Sequence, residues 1–262
     1  MVKSLENYYR QPQLHISLPS QGKWWAPGSI EFSANTELPV MPMTAKDAWL
    51  MPAVDVDAVL LGIRIATYGE TMEVMTTVPG ANEPNSVQVN LNETMERLRN
   101  PNIVDTISTK NGLTVTVRPW TYKENTAVQM QVYEEQRMVK NITGSDMTES
   151  KKIEEFQKVF LKLSASTVER LASAIVSIMT PEETVIDRFE INKFIENIDT
   201  HTANEIKTAL DTLQTVGNMP PVTVATTPEM QSRGAPATYT NNITMDNSNF
   251  FASKSFRSTT LS

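Results

Sequence analysis

Around Thr121 the spacing of apolar residues changes from two to about 3.6, and that switch constrains the chain more than any other feature. Before it, Leu113, Val115 and Val117 alternate with Thr114, Thr116 and Arg118, the pattern of a half-buried strand. After it, Thr121-Tyr-Lys-Glu124 has the form of a capping box, in which a hydroxyl and a carboxylate satisfy each other's backbone N–H groups. That box opens a helix to roughly Lys140, which Gly144 and Ser145 break. The next helix carries Ile153, Phe156, Phe160 and Leu163, then Val168, Leu171, Ile175 and Ile178, and ends before Pro181. Gaps of three and four put each group on one stripe; the gap of five between them predicts a break near 164–167. Ile191, Phe194, Ile195 and Ile198 mark a short amphipathic helix. Thr202-Ala-Asn-Glu205 then caps a last one with Ile206, Leu210 and Leu213. Such stripes are first of all faces for packing within the chain, and a face for a partner is the second reading.

Upstream of the switch, strands and helices mix. Leu14, Ile16 and Leu18 alternate with polar residues; Pro19-Ser-Gln-Gly22 and Pro27-Gly28 supply turns. Ile30 and Phe32 alternate again, and Leu38-Pro39-Val40 reads as an edge strand because proline cannot donate to a ladder. Thr44 and Asp47 suit the start of a short helix that Pro52 interrupts. A firmer helix spans Val56 to Tyr68, apolar on most sides, with Asp55 or Asp57 to cap it and Gly69 to end it. Met72 and Val74, then Val87, Val89 and Leu91, predict two strands around a breaker-rich loop at 78–85, followed by a helix over 92–98. The expected class is α+β, a mixed strand and helix region followed by a mostly helical one. The expected divisions are an N-terminal arm at 1–12, a mixed domain at 13–119, a helical domain at 120–216 and an extended tail at 217–262. Ordering such a tail costs roughly 1–2 kcal/mol per residue, whereas burying Phe250, Phe251 and Phe256 returns about 1.5–3 kcal/mol each. The tail therefore either stays disordered alone or docks on the body or on a neighbouring subunit.

The chemistry on offer is narrow. A formal charge of −7 with no basic cluster gives no footprint for nucleic acid. The absence of cysteine removes disulfides, thiolate nucleophiles and thiolate-held metals. His15 and His201 stand far apart without metal-ligand spacing, so no metal site and no cofactor is expected. No apolar run reaches the ~20 residues of a membrane span, and the N-terminus lacks the apolar core of a signal peptide, which points to synthesis in a cytoplasm. No G-x-S-x-G elbow or phosphate-cradling glycine loop occurs. The carboxylate pairs Asp55/Asp57 and Glu134/Glu135 read as a helix cap and a wet helix face, so no catalytic residue is assigned. Trp24 and Trp25, between two turns, are either a binding anchor or a lid on their own core. With Leu18 and Pro19 at the head of that turn, and Phe250, Phe251 and Phe256 in the tail, they form the candidate partner-contact set.

Seven segments add a resemblance. Leu18-Pro-Ser-Gln-Gly-Lys-Trp-Trp25, Met41-Pro-Met-Thr-Ala-Lys-Asp47, Val54-Asp-Val-Asp57 and Ile63-Arg-Ile-Ala-Thr-Tyr-Gly69 come first. Arg118-Pro119, Phe194-Ile-Glu-Asn-Ile198 and Met245-Asp-Asn-Ser-Asn-Phe-Phe251 follow in order. Together they resemble the T4-type bacteriophage baseplate protein family of contractile-tailed phages. The resemblance implies a non-enzymatic structural component of the baseplate hub region, held in the virion tail and assembled in the host cytoplasm. Its implied partners are other phage tail and baseplate subunits, with self-association among the contacts allowed, and neither nucleic acid nor membrane. The alternative it implies is a transient tail assembly chaperone that is absent from the mature virion.

Overall fold

Three apolar cores, each closed by strands from distant parts of the sequence, organise the chain in a computed structural model that describes residues 12, 14–28, 37–41 and 43–243. The first core belongs to the N-terminal half. Strands β1 (His15–Ser17) and β2 (Glu37–Pro39) pair antiparallel, with Ile16 opposite Leu38 and both side chains buried. Helix α1 (Ala45–Leu50) starts at Thr44, whose hydroxyl accepts the Asp47 N–H as the sequence predicts. A 3-10 turn (Ala53–Asp55) then leads directly into α2 (Val56–Tyr68). Gly69, at φ +92°, ends α2 and donates to the Ile65 carbonyl, a backbone angle that side-chain-bearing residues rarely hold. The predicted strand pair is the hairpin β3 (Thr71–Thr77) and β4 (Pro84–Asn90), and α3 (Leu91–Leu98) follows without a linker. Leu18, Leu38, Leu61, Met72, Leu91 and Leu98 fill the space between these elements. Ile30 and Phe32 lie outside the described residues.

The second core gathers under a four-stranded antiparallel sheet in the order β5 (Thr106–Ser108), β6 (Thr114–Val117), β7 (Ile175–Met179) and β8 (Thr184–Val185). Between β6 and β7 the chain makes a long helical hairpin, α4 (Tyr122–Thr143) and α5 (Glu149–Ala174). After the sheet, α6 (Arg188–Asn197) and α7 (Thr200–Gln214) bring Ile191, Ile195, Ile206, Leu210 and Leu213 against Val115, Val117 and Ile178. The sheet crosses the division expected at 119/120, because β6 on one side of it pairs with β7 on the other.

Two sequence readings change here. Ile175 and Ile178 were assigned to the helical stripe, yet α5 ends at Ala174 and both side chains lie in β7. The cause is a bulge: Thr116 faces Ser177 but Val117 faces Ile175, so β7 carries one extra residue. That residue returns Ile175 and Ile178 to one face, opposite Val117 and Val115, and their spacing of three imitates a helix turn. The break expected near 164–167 is absent; α5 runs through it unbroken.

Residues 217–243, expected as part of an extended tail, fold back on the body. Strands β9 (Val222–Ala225) and β10 (Thr238–Asn241) pair antiparallel around the short helix α8 (Pro228–Ser232). Val224 and Tyr239 pack with Val78 in the third core. The Tyr239 hydroxyl meets Thr76 Oγ1 at 2.6 Å and takes the Asn85 side-chain N–H at 3.1 Å. Further on, Ile243 enters the first core. The entropy cost of this segment is met by its own ladder and these contacts, so it docks without needing the phenylalanines beyond it.

Gly217, at the joint between α7 and β9, lies directly against the 3-10 turn. A Cβ there would sit 1.6 Å from the Val54 carbonyl oxygen, a clash of backbone with backbone that no rotamer relieves. Gly217→Ala is expected to lower stability by about 3 kcal/mol, within the range of severe overpacking. Chemical denaturation of the two chains measures the difference, and equal midpoints would contradict this packing.

Candidate docking surfaces

Asp55 was assigned to capping, but its carboxylate makes no cap. It is fully buried and points toward the turn at 18–25. Ser20 N–H donates to Oδ1 at 2.8 Å, Trp25 Nε1–H donates to Oδ2 at 2.8 Å, and the Ser20 hydroxyl donates to the same oxygen. Two residues on, Asp57 accepts the Met219 N–H at 3.1 Å. The strand of residues just before them is held to the start of α4. Ala53 N–H donates to the Trp120 carbonyl at 2.8 Å, and Tyr122 N–H to the Met51 carbonyl at 2.7 Å. Residues 51–57 thus tie together the N-terminal turn, the long hairpin and the returning C-terminal segment. Burial pushes the Asp55 carboxyl up to about 6, against the hydrogen bonds from Ser20 and Trp25, which favour its charged form.

The same knot holds several of the sequence candidates. Leu18 is 1% exposed, Pro19 is buried and Trp25 is 8% exposed with its N–H consumed by Asp55, so in this fold all three are interior. Trp25 packs in the first core. Trp24 is half-buried against the second core, with the Lys23 ammonium 5.5 Å from its ring centre, and Lys23 also pairs with Asp105. Phe250, Phe251 and Phe256 lie outside the described residues.

Two other apolar surfaces stand open, and neither is in the candidate partner-contact set drawn from the sequence. On α1 no side chain is buried, and Trp49 is 44% exposed. Its ring stacks on Tyr122 at 5.3 Å between centres. Tyr122 also lines a groove of about 530 Å³ walled by Val40, Met41, Met43, Leu60 and Ile63. Methionine side chains adapt their shape and stacked aromatics give large rigid area, the combination found at protein-binding sites. The available signal was a tryptophan on a six-residue helix too short to bury it.

The second surface is the α4–α5 hairpin. The helices have 22 and 26 residues, so they run about 33 and 39 Å at 1.5 Å per residue. On α4 only Glu135 and Ile142 are buried, and on α5 the buried residues begin at Ser166. Toward the N-terminal end of α5, Ile153, Phe160 and Leu161 are 57%, 67% and 70% exposed. With Phe156 and Gln157 they line a shallow hollow of about 490 Å³. Of the stripe of Ile153, Phe156 and Phe160, for which internal packing is the first reading, Ile153 and Phe160 face outward and Phe156 is half-buried. For soluble helices such exposure marks contact sites.

The ring nitrogens of His201 are engaged by Lys110 Nζ at 2.9 Å and Glu205 Oε1 at 3.5 Å, an exposed polar cluster. Among the described residues no group of His, Asp and Glu is placed to hold a metal ion, and no helix is long and apolar enough to cross a membrane.

A family model described as T4 bacteriophage base plate protein matches residues 40–225, more than two thirds of the chain. The chain belongs to this family. No curated protein and no solved structure matches it. The base plate family match begins at the groove wall, takes in Asp55, the sheet and the whole α4–α5 hairpin, and ends with β9. It leaves out Ser20 and Trp25, the donors to Asp55.

The buried carboxyl sets a pH signature. Between its ordinary value of 3.8 and about 6, the folded chain keeps a proton that the unfolded chain has released. Its contribution therefore favours the fold at the acidic end and fades as pH rises through that window, by on the order of 3 kcal/mol at most. Asp55→Asn cannot titrate. The stability gap between the two chains should shrink from pH 4 to pH 6.5 in urea unfolding; a gap independent of pH would place the carboxyl elsewhere. Trp25→Ala, which strands one acceptor site and opens a cavity, should cost about 3–5 kcal/mol, read from the same curves.

Proposed function

We propose that the chain is a permanent structural component of a contractile phage tail baseplate, in the hub region, acting by protein–protein contacts without chemistry of its own. Membership of the base plate family carries the tail assignment. The single structural observation that supports contact as the mode of action is the outward apolar face of α5. Full burial of a large apolar side chain is worth about 1.5–3 kcal/mol. Ile153, Phe160 and Leu161 hold most of that gain in reserve for a partner, on a projecting hairpin that reaches away from the body. The reading places the chain in the virion, assembled in the host cytoplasm beside other tail subunits, with no nucleic acid, membrane or cofactor in its role. Mass spectrometry of washed virions tests permanence: stoichiometric recovery fits a component, and absence from mature particles fits a transient assembly chaperone.

Phe160→Ser with Leu161→Ser removes the centre of that face. Both side chains are exposed, so unfolding stability should change by less than about 1 kcal/mol. Loss of a central anchor costs a protein interface about 2 kcal/mol or more, roughly a thirty-fold weakening. Tails assembled with the double variant should carry the protein at a tenth of the normal amount or less, measured by quantitative mass spectrometry. Normal incorporation would remove the hairpin from the interface.

A further inference from the structure

The sheet of the second core ends on one side at β5, and among the described residues no strand lies against its outer edge. Antiparallel pairing turns the backbone groups of alternate residues toward the partner strand and those between them away. Val117 N–H donates to the Asp105 carbonyl and Thr109 N–H to the Leu113 carbonyl, both at 2.8 Å, with Ile107 opposite Val115 between them. Asp105, Ile107 and Thr109 therefore face β6, and the N–H and C=O groups of Thr106 and Ser108 face outward. Both residues are exposed. The next outward N–H in line is already met, since Lys110 N–H donates to Glu205 Oε2 of α7 at 3.3 Å. That bond sets the outer edge of β5 beside α7. Val104, Ile107 and Ser108 line a hollow of about 580 Å³ there with Glu205, Ala209 and Thr212 of α7. Ile206, Leu210 and Leu213 of the same helix belong to the second core, so the wall of the hollow is a separate face of α7. From His201 to Thr212 that wall runs about 17 Å at 1.5 Å per residue. About five extended residues at 3.3 Å each cover the same length.

We infer that the hollow between β5 and α7 takes an extended segment of a neighbouring tail protein as an added strand of this sheet. Donors and acceptors that recur at every second residue are matched by another extended backbone, and main-chain bonds of this kind give strand addition its affinity. Alternate side chains of the segment turn toward α7, where half-buried Ile107 and Ala209 offer an apolar floor, so the segment carries apolar residues at those positions. The class of partner rests on the baseplate reading; the open edge does not.

Residue-resolved amide exchange of the full chain supplies the test. In dilute free protein the amides of Thr106 and Ser108 should exchange at least ten-fold faster than those of Ile107 and Thr109; equally slow exchange would overturn the inference. The probes are ten-residue peptides tiled through the other proteins of the same phage tail. At least one should bind and slow exchange at Thr106 and Ser108 ten-fold or more. Thr106→Pro removes an outward N–H and no bond to β6. It should keep the unfolding midpoint of the unsubstituted chain and weaken that peptide at least ten-fold. If the variant unfolds, the protection measured on the unsubstituted chain decides. A set without a binder, binders that leave both amides unprotected, or unchanged binding to a folded Thr106→Pro would each overturn the proposal. So would protection that rises with protein concentration and needs no peptide, which assigns the edge to a second copy. Recovery from washed virions is read separately, so a failed peptide set beside full recovery strikes the β5 edge and leaves the baseplate reading standing.

Discussion

Asp55 keeps a carboxylate out of water against three donors from one turn, and the placement of the remaining elements follows from it. A buried donor left without its acceptor costs about 1–3 kcal/mol, so the turn at 18–25 and the 3-10 segment at 53–55 are fixed as a unit. Because that segment also bonds the start of α4 and is touched by Gly217, the two larger cores cannot slide against each other. Asp55 fixes the turn at 18–25 on this segment, and the backbone bonds of Met51 and Ala53 to Tyr122 and Trp120 carry that fixed unit to the long hairpin.

Stability and interaction are divided between different parts of the chain. The sheet, α2 and the returning segment from β9 to β10 bury their apolar residues against one another. By contrast, α1 and the distal half of the α4–α5 hairpin bury almost none. An exposed phenylalanine on a helix held only by its partner helix contributes nothing to the fold of the isolated chain. Its free energy is released only when something covers it.

Local signals in the sequence were read well where the interaction that makes an element is itself local. The Thr121–Glu124 capping box is present as drawn, with Glu124 also bonded to Arg118. Thr44 caps α1, and α2 begins and ends where the apolar run and Gly69 indicated. What escaped was set by partners far away in sequence. Ile175 and Ile178 look helical unless Val115 and Val117 are known to lie beside them with a bulge between. Asp55 looks like a cap unless Ser20 and Trp25 are known to reach it. Residues 217–243 look like a tail because their prolines argue against a central strand, and the contacts of Tyr239 with Val78 and Thr76 that hold them to the body come from far away in sequence. The docking surfaces were illegible for a related reason: a stripe such as Ile153, Phe156 and Phe160 has the same spacing whether it is covered or bare.

The neighbouring positions of β6 and β7 carry one more implication. The polypeptide leaves the sheet at Val117 and re-enters it at Ile175, on adjacent strands, so the helical hairpin begins and ends at nearly one point. Beyond Ser166 and its partner Gln131, the hairpin adds no side chain to the second core. Its reach could lengthen or shorten by whole helical turns without any adjustment in the sheet beneath. A lineage could re-aim what this protein grips by editing a spar whose root never moves.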